Sequence, residues 1–256
     1  DNNTLWDRFT NSCPDATDEE KAAMTKLASS VVFTSQGIPF FLGGEEMCRT
    51  KPLANGKLDS NSYKSPDSTN SVKWDTLSGS LVSGVSNYYK GLIEFRKAHP
   101  SLRLTTTEDV NNSIKFSEDV GDNVVAYEVS GKPNGEKADS IFVAYNANKE
   151  DVQVKLPKSD KWQVCVNGEK AGTDVIETIN GDTVTVKAQS TMVLVLGDTN
   201  GTPEDTSKVT SSDNDNSNGV NTSDTSTPIV WFAFVGIALL AIAGIVFVTV
   251  KKKANR

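Results

Sequence analysis

The feature that most constrains this chain is a run of 22 uncharged residues near its C-terminus, residues 229–250. As a helix this run would be about 33 Å long, which matches the hydrocarbon thickness of a bilayer. The run is apolar on every side, whereas a helix in the core of a soluble protein is rarely so over such a length. The sequence therefore predicts one transmembrane helix over residues 228–250.

The residues on either side of this run predict its orientation. Residues 251–256 contain three lysines and an arginine, and cationic flanks stay on the cytoplasmic side of a membrane. We therefore expect a cytoplasmic C-terminal tail and an extracellular globular part on a bacterial cell surface. Residues 198–227 are rich in Asp, Asn, Ser, Thr and Gly, a composition that cannot form a core and that predicts a disordered acidic linker.

Composition argues against several classes of function. The chain has 26 Lys and Arg against 33 Asp and Glu, with a formal net charge of −7, so no nucleic-acid partner is expected. Cys13, Cys48 and Cys165 are too far apart for a zinc motif or a disulfide scaffold, and no metal site is predicted. The single histidine, His99, leaves no choice of bases for a serine-type catalytic triad.

Residues 104–197 have the pattern of an antiparallel β-sandwich. Short segments rich in β-branched residues are separated by Gly, Asn, Asp and Pro, which predicts about seven strands. The segments with the clearest pattern are residues 123–129, 140–145, 152–156, 162–166, 183–187 and 191–196. We interpret this part as a domain of its own that serves either for packing or for glycan binding.

A helix is predicted to begin after Thr17 in the first part of the chain. Thr17 and Glu20 are spaced as a capping box. The apolar residues that share one face of the helix are Ala23, Leu27 and Val31. The short apolar run at residues 38–42 predicts a fully buried strand.

A long loop and a second helix follow this strand. Residues 43–80 are largely polar, and His99 and Pro100 mark the end of the next helix. Its apolar face contains Leu81, Val85, Tyr88, Leu92 and Phe95. Helix, buried strand, long loop and helix is the order of the last unit of a (β/α)8 barrel, whose active site lies at the C-terminal ends of its strands. The predicted fold class is therefore α/β plus all-β, with residues 1–103 as the C-terminal part of a barrel.

Five sequence blocks carry a resemblance to a known family. They are residues 1–7 (DNNTLWD), 34–46 (TSQGIPFFLGGEE), 49–51 (RTK), 61–67 (NSYKSPD, with Asn70 and Trp74 after it) and 88–100 (YYKGLIEFRKAHP). In this order they resemble type I pullulanases, which are debranching enzymes of the α-amylase superfamily, glycoside hydrolase family 13. The resemblance implies hydrolysis of α-1,6-glucosidic bonds in pullulan, amylopectin or related α-glucans by a retaining carboxylate mechanism.

The resemblance also implies roles for individual residues. Asp1 matches the carboxylate that stabilises the transition state, and Asn2 matches a substrate-binding residue beside it. The nucleophilic Asp and the acid Glu of the family belong to earlier strands that this chain does not contain. The chain is therefore interpreted as a C-terminal fragment that is inactive alone. Arg49 and Asp67 match polar residues of the sugar subsites, and the alternative is a salt bridge that only orders the loop.

Other matched residues are expected to be structural. Glu45 and Glu46 resemble acids that hold the mouth of the barrel, and Trp6 and Trp74 are expected to pack under the loop rather than to stack on sugar rings. No cofactor is assigned with certainty, and calcium binding is left open. The alternative to a debranching glycosidase is a non-catalytic, membrane-anchored protein for α-glucan binding or adhesion.

Overall fold

The computed structural model describes residues 2–201. Asp1 lies outside the described residues, as do most of the predicted linker, the predicted transmembrane helix at 228–250 and the basic tail at 251–256. Those expectations therefore stay predictions. Within residues 2–201, none of the helices is both long enough and apolar enough to cross a bilayer.

A helical part is followed along the chain by a β-sheet. The helices are α1 (Leu5–Ser12), α2 (Asp18–Thr34), α3 (Asp67–Asn70), α4 (Ser80–Ala98) and α5 (Thr107–Ser113). The strands are β1 (Ile114–Phe116), β2 (Val124–Ser130), β3 (Ala138–Asn146), β4 (Val152–Val166), β5 (Glu177–Val186) and β6 (Ser190–Gly197). The region between α2 and α4 also contains short 3₁₀ helices, at Glu45–Met47, Ser62–Lys64 and Trp74–Ser78.

Helix α2 begins where the capping box predicts. The Thr17 hydroxyl accepts a hydrogen bond from the Glu20 amide at 3.2 Å, and the Glu20 carboxylate accepts one from the Thr17 amide at 2.8 Å. Helix α1 begins in the same way, because the Thr4 hydroxyl accepts from the Asp7 amide. Both helices therefore start at a threonine that satisfies a free backbone amide.

The prediction of the buried face of α2 is wrong. Val31 is 42% exposed, and Ala23 and Leu27 are only partly buried. The buried residues of the helix are instead Ala22, Thr25, Ser29, Ser30, Phe33 and Thr34. The reason is that the hydroxyl groups on this face donate hydrogen bonds to carbonyl groups one turn back, as Thr25 does to Lys21 and Thr34 does to Ser30, both at 2.8 Å. A polar face satisfied in this way can be buried.

The predicted face of α4 is confirmed. Val85, Tyr88, Leu92 and Phe95 are at most 2% exposed. Gly91 allows the helix to approach the strand connection at Ala171, since a Cβ atom at position 91 would lie 1.9 Å from the Ala171 carbonyl oxygen. The apolar spacing of the sequence therefore predicted the packing face of this helix.

Residues 38–42 do not form the predicted buried strand. They have no regular secondary structure, and Ile38 and Phe40 are 95% and 90% exposed. A strand needs a neighbour for its backbone hydrogen bonds, and no strand within residues 2–201 pairs with this segment. The side chains of Ile38 and Phe40 are consequently left in contact with solvent, whereas Phe41 packs against Phe33 and Tyr89.

The predicted antiparallel β-domain is confirmed, with fewer strands than expected. It is one six-stranded sheet in the order β1-β2-β3-β6-β4-β5, in which all pairs are antiparallel. The two segments predicted at 152–156 and 162–166 are one strand, β4, with an irregular register between Lys155 and Asp160. Strand β5 also continues through Gly181, which pairs with Asp160.

Two buried clusters lie on the two faces of this sheet. On one face, Val154 and Leu156 from the first half of β4 belong to the same cluster as Phe142, Trp162 and Leu194. On the other face, side chains of α2 and α4 join side chains of β2, β3 and β6 in a second cluster. The helical part and the sheet therefore share a core, and the described residues 2–201 belong to one compact unit. The domain boundary at residues 103–104 stays a prediction.

Arg96 joins the helical elements to one another. It lies in the last turn of α4, is buried, and donates hydrogen bonds to the carbonyl oxygens of Phe33, Ser35 and Gly37 at 2.9, 2.7 and 2.6 Å. These carbonyl groups belong to the end of α2 and the residues after it, where a helix leaves backbone acceptors unpaired. Arg96 therefore caps α2 from the neighbouring helix.

A second polar junction lies between the end of α4 and the connection from β2 to β3. Glu136 accepts hydrogen bonds from His99 Nδ1 at 3.1 Å, from the Ser101 hydroxyl at 2.7 Å and from the Ala138 amide at 3.0 Å. Burial alone would raise the pKa of Glu136, but these hydrogen bonds outweigh it and lower the pKa to about 2. His99 therefore joins the end of α4 to the residues that precede β3.

This junction predicts a stability that depends on pH. Because the pKa of Glu136 is lower in the folded protein than its ordinary value of 4.5, its contribution is complete above about pH 4.5 and is lost as the pH falls toward 2. Urea denaturation at several pH values, with Glu136→Gln as the matched variant, measures this contribution. We expect the difference in unfolding free energy between the two proteins to shrink across that range, and a constant difference would contradict the assignment.

Candidate functional site

The residues matched to substrate binding lie at the start of α1 and on residues 43–78. Asp1 lies outside the described residues. Asn2 is exposed, and its side-chain oxygen accepts hydrogen bonds from the Arg8 guanidinium at 2.7 Å and from the Asn3 amide at 3.1 Å. The Asn2 amide group is therefore held against α1 with its nitrogen available to a ligand.

Arg49 is tied to the protein backbone. Its guanidinium donates one hydrogen bond to the Gly43 carbonyl at 2.8 Å and another to the Asn70 carbonyl, and its Nε atom is buried. Gly44 packs so closely on the side chain that a Cβ atom there would lie 2.7 Å from Arg49 Cδ. Arg49 therefore links Gly43, at the start of the loop, to Asn70, at the end of α3.

Asp67 is arranged differently. It is exposed at the first position of α3, and within residues 2–201 its carboxylate forms neither an ion pair with Arg49 nor a hydrogen bond with another side chain. The alternative, a salt bridge that only orders the loop, is not found within residues 2–201, because neither Arg49 nor Asp67 forms an ion pair there. The Asp67 carboxylate is free to accept hydrogen bonds from the hydroxyl groups of a sugar.

The loop around Asp67 is well connected internally. The Asn70 side chain donates to the carbonyl oxygens of Ser62 and Ser65 at 2.6 and 3.0 Å, and the Thr69 hydroxyl donates to the Pro52 carbonyl at 2.9 Å. These bonds hold both sides of the short helix α3. The backbone on both sides of Asp67 is therefore fixed by hydrogen bonds, and the Asp67 side chain lies exposed on it.

Asp7 anchors α1 to the same loop. It is completely buried, and its two carboxylate oxygens accept hydrogen bonds from the Thr50 hydroxyl at 2.5 Å and from the Lys51 amide at 2.8 Å. Lys51 continues the connection, because its ammonium group donates to the Ser62 hydroxyl at 2.7 Å. A chain of polar contacts thus runs from α1 to the residues around α3.

Glu45 and Glu46 hold the beginning of the loop. Glu45 accepts a hydrogen bond from the Tyr89 hydroxyl at 2.8 Å, and Glu46 accepts one from the Gly44 amide at 3.0 Å. Burial raises the pKa of Glu45, and the bond from Tyr89 offsets part of that rise. Both carboxylates accept hydrogen bonds from other residues of the protein, in agreement with the structural role expected for them.

The aromatic side chains near the site differ in exposure. Trp6 is half-buried, with the Lys21 ammonium 5.0 Å from its ring centroid. Trp74 is 67% exposed and Tyr63 is 75% exposed, so the expectation that Trp74 packs under the loop is wrong. Exposed rings on a loop that also carries a free carboxylate can stack on the apolar faces of sugars while the carboxylate binds hydroxyl groups.

Sequence reasoning missed three residues of this site: Asp7, Asn70 and Tyr89. All three lie inside the blocks that carry the family resemblance. Asp7 and Tyr89 bind partners that are more than forty residues away and that only the fold brings close, whereas Asn70 binds carbonyl groups five and eight residues before it. In the part of the chain that the structure describes, no three His, Cys, Asp or Glu side chains are grouped as ligands for a metal ion.

Comparison with known proteins relates this chain to one family. A family model described as the pullulanase all-beta domain matches residues 110–170, which include β1, β2, β3 and β4. A pullulanase of Bacillus subtilis strain 168 is 29% identical over 196 residues, which are 77% of this chain and 26% of the relative. The matched region therefore extends beyond the β-sheet into the helical part.

Solved structures agree with the sequence match. The structure of a pullulanase from Bacillus acidopullulyticus superposes with a TM-score of 0.70 and 37% identity, over 76% of this chain and 23% of that one. A pullulanase from Paenibacillus barengoltzii, solved in complex with maltohexaose and α-cyclodextrin, superposes with a TM-score of 0.66 and 35% identity, over 77% of this chain and 28% of that one. The chain thus spans about a quarter of the length of these relatives.

Proposed function

This chain is related to the pullulanases in sequence and in fold, and from that relationship we propose that it is the C-terminal part of a debranching glycosidase. The full-length protein would hydrolyse α-1,6-glucosidic bonds in pullulan, amylopectin or related α-glucans. The observation that carries the proposal is the joint match in sequence and fold over 76% of the chain. A match of this extent is longer than the β-sheet and reaches into the helical part.

The exposed segment at residues 38–42 supports the assignment of the helical part to a (β/α)8 barrel. Ile38 and Phe40 are almost fully exposed, and the segment lies between two helices that pack against each other. In a parallel barrel every strand is paired on both sides and its alternate side chains fill the interior. We therefore assign residues 38–42 to the last strand of a barrel whose other strands precede this chain in the full-length protein.

The chemistry of the proposed reaction needs carboxylates in distinct roles. A retaining glycosidase uses one carboxylate as nucleophile and one carboxylic acid to protonate the leaving oxygen. Both would come from the preceding strands. Asp1 would supply additional negative charge to stabilise the positive charge that develops on the sugar in the transition state.

We propose different roles in substrate binding for Asn2, Arg49 and Asp67. Asp67 and Asn2 expose polar groups that can contact sugar hydroxyls directly. Arg49 acts on the loop, because its two terminal guanidinium nitrogens donate hydrogen bonds to the Gly43 and Asn70 carbonyls. This division supports an α-glucan as the substrate, as does the complex of the Paenibacillus barengoltzii relative with maltohexaose and α-cyclodextrin.

The experiment that tests this function compares two proteins on pullulan. The full-length protein is expected to release reducing sugar, whereas residues 1–201 expressed alone are expected to release none, because nucleophile and acid are both needed. If the full-length protein binds pullulan without hydrolysing it, the glucan-binding or adhesion alternative is correct. Hydrolysis by residues 1–201 would contradict the division of catalytic groups.

We further propose that the protein is anchored in the cell membrane by residues 228–250, with the globular part outside and the C-terminus in the cytoplasm. The proposal rests on the uncharged run and on the cationic residues that follow it, because moving such a cluster across a membrane is costly. Protease treatment of intact cells should release the globular part by cleavage within residues 198–227 and leave an epitope after Arg256 protected. Cleavage of that epitope on unbroken cells would show the opposite orientation.

A further inference from the structure

We propose that Asp7 is a positioning residue for glucan binding: it sets the position of the loop that carries Asp67 relative to the start of α1. The inference rests on the proposed debranching function, and it adds a residue whose role no sequence motif assigned. Asp7 itself cannot touch a substrate, because its side chain is completely buried. Its effect must therefore act through the groups that it binds.

The first link runs from Asp7 to residues 50 and 51. Both carboxylate oxygens are engaged, one by the Thr50 hydroxyl and the other by the Lys51 amide. A hydrogen bond to an ionised acceptor is stronger and more directional than one between neutral groups. Because the Asp7 amide is itself bonded to the helix cap Thr4 at 3.1 Å, the carboxylate ties the loop to the first turn of α1.

The second link runs from these residues to both ends of the loop. Arg49, next to Thr50, holds the Gly43 carbonyl on one side and the Asn70 carbonyl on the other. Lys51 holds Ser62 through its ammonium group at 2.7 Å. A displacement of residues 49–51 would therefore move both ends of the segment that includes α3.

The third link places the candidate binding groups at the two ends of this connection. Asn2 lies at the start of α1, held by Arg8 from that helix at 2.7 Å. Asp67 begins α3, whose last residue, Asn70, is bonded to Arg49. The position of Asp67 relative to Asn2, the two residues that would bind the sugar, thus depends on the hydrogen bonds that Asp7 accepts.

The test replaces Asp7 by Asn in the full-length protein. An amide of the same shape offers one acceptor oxygen where the carboxylate offers two, so at least one of the two hydrogen bonds to Thr50 and Lys51 is lost. Since a misplacement of about 1 Å at a substrate-positioning residue can cost about 10²-fold in rate, we expect kcat/KM on pullulan to fall by about 10²-fold well below the melting temperature. Asp15→Asn, at an exposed acid after α1, is the matched control and should change neither kcat nor KM.

A purely structural role makes a different prediction. If Asp7→Asn lowers the melting temperature but leaves kcat and KM unchanged, the proposal is wrong. If Asp7→Asn does not fold, Thr50→Val and Thr50→Ser replace it, because the first removes the hydroxyl donor and the second keeps it. We expect the valine variant to lose kcat/KM and the serine variant to retain it, and equal values for the two would overturn the proposal.

Hydrogen exchange on the chain itself separates this inference from the proposed function. In the Asp7→Asn variant, the Lys51 amide and the amides of residues 43–78 should lose protection while those of β2 and β3 keep theirs. Unchanged protection of the loop would contradict the inference whatever the full-length protein catalyses. Absence of hydrolysis by the unmodified full-length protein would instead contradict the proposed function.

Discussion

Replacement of Phe95 by alanine is expected to lower the unfolding free energy of residues 1–201 by about 3 to 5 kcal/mol, the usual cost of removing a fully buried aromatic side chain. Phe95 is completely buried in the cluster that α2 and α4 share with the sheet. Its ring centroid lies 4.3 Å from that of His99, which links it to the junction around Glu136. The cavity left by the substitution would therefore loosen the helical part and the sheet together. Urea denaturation monitored by circular dichroism measures this loss.

Phe40→Ala is the matched control for this experiment. The substitution is chemically the same, but Phe40 is 90% exposed, so we expect a change within about 0.5 kcal/mol in residues 1–201. In the full-length protein the same substitution should become costly, because the proposed barrel strands would cover that side chain. Equal effects of Phe95→Ala and Phe40→Ala on residues 1–201 would contradict the shared core.

Local sequence patterns predicted the elements whose packing they determine directly. The capping box at Thr17 and Glu20 marks the start of α2, because its two hydrogen bonds form within one turn. The apolar spacing in α4 and the alternating segments of the sheet domain also predicted buried positions, because each reflects contact with one continuous core. Each of these features depends on residues that are close in sequence or on the regular spacing of apolar residues.

Other features could not be predicted, because they depend on hydrogen bonds or on neighbouring strands that the spacing of apolar residues does not indicate. The buried face of α2 contains Thr25 and Ser30, which a hydrophobic pattern assigns to solvent, and burial is permitted only by hydrogen bonds to the preceding turn. The two predicted strands around Pro157 are one strand, because β5 pairs with β4 on both sides of the irregular register. Residues 38–42 have the composition of a buried strand, but burial also requires neighbouring strands.

In the candidate site, too, the sequence indicated some features and only the folded structure showed others. The family resemblance named Arg49 and Asp67, but it could not show that Arg49 is bonded to backbone carbonyls while the Asp67 carboxylate is free. The role of Asp7 depends on Thr50 and Lys51, more than forty residues away. Only the folded structure brings these groups together.

Asp1→Asn in the full-length protein is expected to have the largest effect on activity. The substitution removes a negative charge that, in the proposed mechanism, stabilises the oxocarbenium-like transition state. Loss of a single electrostatic stabiliser of a transition state costs about 10²- to 10³-fold in kcat in other enzymes, so we expect turnover to fall by several orders of magnitude. Binding should survive, because Asn keeps the shape of the side chain and the substrate in its ground state is uncharged.

The most direct test of the account is therefore the rate of pullulan hydrolysis by the unmodified full-length protein and by its Asp1→Asn variant, measured at saturating substrate and accompanied by a binding measurement. The account predicts hydrolysis of α-1,6 bonds by the unmodified protein and a turnover lower by several orders of magnitude in Asp1→Asn, with affinity for pullulan retained. An unchanged turnover number in Asp1→Asn, or the absence of hydrolysis by the unmodified protein, would contradict it.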